Sequence, residues 1–159
     1  MSRAFVKEQD DLPEALPERP VSANPNLVTP RGLRLIDQEI EACRKLLAQG
    51  QNAADKAVIA RASRDLRYWM QRRSTAQLMD APATANAVGF GTRVTILRDD
   101  GRRQAFAIVG EDEAEPSKGF IAYTSPLARA LMGKARGDVA EIPGGEAEIV
   151  ALEAVRPEG

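Results

Sequence analysis

Apolar residues at Leu33, Ile36, Ile40, Cys43 and Leu47 follow one another at steps of three, four, three and four. That spacing gathers side chains into a single stripe along a helix. Thr29-Pro30 is a matching start: the threonine hydroxyl can accept an orphan backbone N–H, and proline is tolerated at the first helical position, where its missing donor had no partner. Residues 48–53, with Gly50 and Asn52, predict the stop and turn. A second stripe runs Ile59, Ala62, Leu66, Trp69, Arg73 and Ala76 at the same alternating steps, with Arg73 as the misfit. A short polar connection between two such helices predicts an antiparallel hairpin over 30–79, a coiled coil with Trp69 as its largest buried side chain. The same stripes would also serve a four-helix bundle made by two chains.

From Phe90 the period changes from helical to two. Val94 and Ile96, then Phe106 and Ile108, alternate with polar or small neighbours around Asp99-Asp100-Gly101, the pattern of two half-buried strands and their turn. A third strand fits 120–124. Ser125-Pro126 repeats the cap-then-proline start, and Leu127, Leu131 and Met132 give a short helix one apolar face before Gly133. Residues 139–142 and 147–155 close the set around Pro143-Gly144-Gly145. The expected product is an antiparallel sheet covered by one short helix, so the chain as a whole is predicted to be α+β.

The remaining segments are a proline-punctuated arm over 1–29 (Pro13, Pro17, Pro20, Pro25), a linker at 80–89 and a tail at 156–159. The arm is predicted to be extended and partly disordered, with Phe5 and Val6 free to dock on the body or on a partner. With 159 residues, 43% apolar content and a net charge of −1, the composition is that of a soluble globular protein. The charge is unevenly spread: −2 over 1–29, +5 over 30–79 and −4 over 80–159. A basic hairpin suits an anionic environment, either nucleic acid or an acidic protein channel, although a solvated arginine-rich face would read the same.

There is no histidine, and the one cysteine, Cys43, lies on the first stripe, which excludes a disulfide framework and a Cys/His zinc site within the chain. No apolar run approaches the length of a membrane span, and the acidic N-terminus does not read as a signal peptide, so a cytoplasmic protein without membrane association is expected. The acidic group Glu111, Asp112, Glu113 and Glu115 lacks the glycine and terminal glutamate of a calcium loop and is predicted to be a solvated connection. Gly89-Phe90-Gly91 and Gly144-Gly145 lack the strand-glycine-helix context of a phosphate cradle and read as turns.

Several strings, taken in order, resemble the Gre (GreA/GreB) family of bacterial transcription elongation factors. They are Phe90-Gly91-Thr92-Arg93-Val94-Thr95, the run from Ile108 to Glu115, Ser125-Pro126-Leu127-Ala128-Arg129-Ala130-Leu131 with Gly133-Lys134, Pro143 to Glu148, and Thr29-Pro30-Arg31-Gly32-Leu33. The resemblance covers about 28–155. It implies a helical hairpin followed by a sheet domain of FK506-binding-protein type that grips the rim of the secondary channel of RNA polymerase. The segment implied to meet that rim is Tyr123, Thr124, Ser125, Pro126 and Leu127. Three of them have a structural use as well, since Ser125 can cap, Pro126 can open a helix and Leu127 can join a core.

The family's chemistry requires two neighbouring carboxylates at the hairpin tip, which help hold a second Mg²⁺ of the polymerase active site. Here the expected tip is Gln51, Asn52, Asp55 and Lys56, and Asp55 is the only acid between Ala42 and Arg64. The hairpin is also shorter than the family's usual one. The sequence therefore predicts an accessory factor rather than an enzyme, without a cofactor of its own, that modulates elongation without strong stimulation of transcript cleavage. One alternative is a weak cleavage factor with Asp55 as the remaining metal ligand. Another is a peptidyl-prolyl isomerase, with only Phe90, Phe106, Phe120 and Tyr123 available to line an apolar pocket. Direct nucleic-acid binding by the basic hairpin would be nonspecific and salt-sensitive outside a polymerase complex.

Overall fold

The computed structural model describes residues 16–155. The arm's first 15 residues, with Phe5 and Val6, and the tail at 156–159 lie outside the described residues. The chain divides into two compact units, one holding 16–21 and 36–74, the other 22–35 and 75–155. Residues 22–29 and the first six residues of the first helix thus group with the sheet.

In the first unit, helix α1 (Pro30–Asn52, entering the unit at residue 36) and helix α2 (Lys56–Thr75) are joined by Ala53–Asp55. Asp37 near the start of α1 meets Arg73 near the end of α2 at 2.8 Å, and Gly50 near the end of α1 faces Val58 near the start of α2. The helices are thus antiparallel. Ile36, Ile40 and Cys43 are buried on α1, with Ala62 opposite on α2, as the stripes require.

Three details depart from the sequence reading. Gly50 does not stop α1; it lies inside the helix, where a Cβ would stand 2.9 Å from Val58 Cγ1 and 3.2 Å from Ile59 N, so glycine eases the close approach of α2. The stop falls at Ala54, whose φ of 52° is left-handed. Its N–H bonds to Gln51 O at 3.2 Å while Asp55 N–H bonds to Gly50 O at 2.8 Å, the crossed pair that closes a helix without loose carbonyls. Arg73 is exposed in its ion pair, and the buried arginine is Arg72. Trp69 is only half-buried; its ring meets Tyr68 edge-on at 5.0 Å, with Arg19 over the same aromatic pair.

The second unit is built on a five-stranded sheet, β3 (Thr92–Arg98), β4 (Arg103–Val109), β5 (Phe120–Ala122), β6 (Val139–Ile142) and β7 (Gly145–Ala154), in the order β5-β4-β3-β7-β6. Val94 and Ile96 of β3, Ile108, Ile121, Ala140, Ile142, Ala147 and Ile149 form its core together with Ala128 and Leu131 of helix α3 (Pro126–Leu131). Val88, expected in the linker, is part of this core.

The expectation of a wholly antiparallel sheet is corrected, because β5 pairs parallel to β4. A parallel neighbour cannot follow through a tight turn, and the chain between them crosses through two short 3-10 turns, Glu111–Glu113 and Pro116–Lys118. β7 also carries a bulge. Thr95 pairs with Ala151 and Ile96 with Ile149, leaving Val150 extra. The core-facing parity switches there, from Ala147 and Ile149 to Leu152, as one inserted residue demands.

A small parallel pair, β1 (Leu27–Val28) with β2 (Gln77–Leu78), was absent from the sequence reading. Gly110 at the end of β4 makes room for it: a Cβ there would lie 2.2 Å from Leu27 O.

Candidate functional site

The string Tyr123–Leu127 leaves β5 and opens α3. Ser125 N–H bonds to Ala122 O at 2.9 Å, and the Ser125 hydroxyl accepts the N–H of Ala128 at 3.2 Å, the N-cap predicted from sequence. Pro126 is exposed at the first helical position, where its fixed φ holds the turn. Leu127 packs partly on the core and Thr124 is half-buried.

Tyr123 is held from three sides. Its N–H bonds to Val109 O at 2.9 Å, its ring meets Phe90 edge-on with centroids 5.8 Å apart, and its hydroxyl donates to Pro25 O at 2.5 Å. All five residues therefore share one stretch of surface, fixed from beneath by β4 and from the side by residues near Pro25.

At the other candidate site, Gln51, Asn52, Asp55 and Lys56 all lie exposed at the turn between α1 and α2. Asp55 does local work there, with Oδ1 accepting Val58 N–H at 3.2 Å and its carbonyl accepting Ile59 N–H at 3.0 Å, so it is the N-cap of α2. Among the described residues, no three His, Cys, Asp or Glu side chains converge to hold a metal ion. Asp55 thus offers a single carboxylate at the tip, with Oδ1 already accepting a backbone N–H.

The sequence reading missed two features. The first is Glu113, expected in a solvated loop and in fact buried. It accepts the hydroxyl of Thr29 at 2.5 Å and Arg31 Nη1 at 2.9 Å, while Thr29 Oγ1 in turn accepts Gly32 N–H at 3.0 Å. Thr29 is thus both the predicted cap and a donor to a carboxylate 84 positions away, a separation that no local pattern reveals. Arg31 also lies over the Phe120 ring, 4.1 Å from its centroid.

The second is the part of the arm that joins the hairpin unit. Glu18 takes Arg67 in a two-pronged pair, with Nη2 at 2.6 Å from Oε1 and Nε at 2.9 Å, and Arg19 stacks on Tyr68 at 3.9 Å. The hydrogen bond from Arg67 holds the Glu18 carboxyl below its ordinary range. Cys43, buried on α1, has its thiol pushed up, chiefly by burial.

No helix among the described residues is long and apolar enough to cross a membrane. Residues 83–154 match the family described as transcription elongation factor, GreA/GreB, C-term. Transcription elongation factor GreA of Alkalilimnicola ehrlichii is 44% identical over 86 residues, covering 50% of this chain and 54% of that protein. GreA of Helicobacter acinonychis is 42% identical over 84 residues, 50% of this chain and 51% of its own. The chain thus spans about half the length of the curated relatives it matches. Among solved structures, GreA factor homolog 1 (Gfh1) of Thermus thermophilus aligns at a TM-score of 0.40 and 21% identity, over 82% of this chain and 100% of its own. Residues 83–154, the stretch that builds the five-stranded sheet and carries the Tyr123–Leu127 string, are thus similar to the C-terminal part of GreA/GreB transcription elongation factors.

Proposed function

We propose that this protein is an accessory factor of RNA polymerase that docks at the rim of the secondary channel through Tyr123–Leu127 and modulates elongation without strongly stimulating transcript cleavage. The observation that carries the reading is the family match over 83–154, which contains the whole docking string on a sheet of α+β architecture. In this reading the sheet unit is the FK506-binding-protein-like anchor and the two antiparallel helices are the coiled-coil element that enters the channel. Nucleic acid is met only inside the polymerase complex, or nonspecifically through the basic hairpin.

Poor cleavage follows from the tip. A relative that recruits Mg²⁺ to the polymerase active site needs paired carboxylates, and Asp55 is single, bonded to the Val58 N–H and followed by Lys56. Whatever Mg²⁺ takes part belongs to the polymerase. The isomerase alternative finds little support, because the aromatic rings of the sheet unit are otherwise engaged. Phe90 and Tyr123 meet each other, Phe106 packs on the core and Phe120 lies under Arg31. An open groove of about 440 Å³ is lined instead by Ala85, Asn86, Ala135, Arg136, Val150, Ala151 and Leu152.

Co-purification with core RNA polymerase, using wild type and the double variant Ser125→Ala, Pro126→Ala, tests the docking. Retention of wild type and loss of the variant is the expected result; equal retention would move the grip elsewhere. Cleavage assays on stalled complexes should show little RNA shortening. Robust shortening that disappears in Asp55→Asn, which keeps the helix cap, would establish the weak-cleavage alternative.

A further inference from the structure

The Tyr123 hydroxyl ties the docking string to a segment outside the family match. Pro25 O accepts both that hydroxyl at 2.5 Å and the Leu27 N–H at 3.0 Å, so the chain is turned and pinned at this point. On the far side it is anchored again: Asn26, buried, donates from Nδ2 to Thr75 Oγ1 at 3.1 Å, and its carbonyl accepts Gln77 N–H at 2.8 Å. Upstream, Asn24 N–H bonds to Ser22 Oγ at 3.1 Å, closing a small knuckle. Ala23, Asn24 and Pro25 are exposed.

A four-residue knuckle closed by its own Ser22–Asn24 hydrogen bond and pinned at its Pro25 end, with three members facing solvent and its last carbonyl bonded to the docking string, is a surface whose ordering cost was largely met in folding. Its residues, Ser22-Ala23-Asn24-Pro25, carry no charge, and neither do Tyr123-Thr124-Ser125-Pro126-Leu127.

We infer that Ser22–Pro25 and Tyr123–Leu127 form one continuous, uncharged docking surface, and that the knuckle contacts the same face of the polymerase as the string. The inference rests on the docking reading above and extends it to a second contacting segment. The partner surface it fits is an uncharged protein face offering hydrogen-bonding and small apolar side chains. Affinity contributed by this surface is therefore insensitive to salt, in contrast to contacts made by the basic hairpin.

The experiment is equilibrium binding of the full chain to core RNA polymerase at low and high salt. The proteins are wild type, Ala23→Trp, Tyr123→Phe and the double variant Ser125→Ala, Pro126→Ala, with thermal melting run in parallel. Ala23→Trp adds bulk at an exposed position, and Tyr123→Phe keeps the ring but removes its hydroxyl from Pro25 O. Each is expected to weaken binding about threefold to tenfold, the range of one lost hydrogen bond or comparable misfit, and by the same factor at both salts. If the double variant binds poorly while Ala23→Trp and Tyr123→Phe bind like wild type, the knuckle lies outside the contact and the inference fails alone. A loss that vanishes at high salt also overturns it, since the surface would then act through charge. If wild type itself does not bind, the docking reading fails and takes the inference with it.

Discussion

Glu113 and Arg31 form an ion pair in which one partner is buried and the other reaches solvent: the Glu113 side chain is 3% exposed, Arg31 is 28% exposed, and they meet at 2.9 Å. The asymmetry decides which partner matters. An arginine that loses Glu113 can turn to water, whereas Glu113 without Arg31 keeps only the Thr29 hydroxyl for its negative charge. Arg31→Ala is therefore expected to destabilise the sheet unit by about 2–3 kcal/mol, somewhat below the cost of breaking a fully buried pair. Glu113→Gln should cost about 1 kcal/mol, because the amide oxygen still accepts from Thr29. Urea denaturation of the two variants gives the order, and a larger loss for Glu113→Gln would contradict it.

Gly110→Ala should disturb β1 selectively. The added Cβ would meet Leu27 O at 2.2 Å, and a backbone atom cannot yield as a flexible side chain would. A loss of about 1–3 kcal/mol is expected, with hydrogen exchange accelerated first at Gln77 and Met79, whose N–H groups bond to the Asn26 and Val28 carbonyls.

Ala54→Gly should stabilise the hairpin. A left-handed φ of 52° strains alanine and leaves glycine at ease. A gain of about 0.5–1 kcal/mol is expected in thermal or urea unfolding, and any loss would show that the Ala54 side chain contributes a contact of its own.

The bond between residues 16–21 and α2 should depend on pH. Glu18 is held below its ordinary value of 4.5 by the Arg67 hydrogen bond. A depressed carboxyl stabilises the attached form at neutral pH and above its unfolded value, and that contribution disappears as pH falls through the folded value. The single tryptophan, Trp69, lies 5.4 Å from the Arg19 guanidinium and reports the change directly. Its emission should shift as the solution is acidified below the ordinary carboxylate range. The shift should be present at neutral pH already in Glu18→Gln, and its absence there would remove Glu18 from the attachment.

Much of this fold was legible because it is local. The Thr29-Pro30 and Ser125-Pro126 starts, the stripe through Ile36, Ile40 and Cys43, and the Asp99-Asp100-Gly101 turn are set by neighbours a few positions apart. What was not legible depends on partners far along the chain. Glu113 reads as one acid among four until Thr29 and Arg31 are brought to it, and Gly50 reads as a helix stop until α2 lies against it. The parallel entry of β5 and the extra residue at Val150 leave no mark on an alternating pattern. The Tyr123–Leu127 string was recognisable as a capped helix start, but its tie to Pro25 joins segments nearly a hundred residues apart.

The docking proposed above would place this chain where a cleavage-competent GreA docks, with Asp55 as the single carboxylate at its own tip. Titrating it into stalled elongation complexes that contain a fixed amount of such a GreA, and measuring RNA shortening, tests that claim most directly. Cleavage should fall progressively toward the rate seen without GreA, and the Ser125→Ala, Pro126→Ala variant should leave it unchanged. Cleavage that holds steady as the wild-type chain is added, or rises with it, would contradict the account.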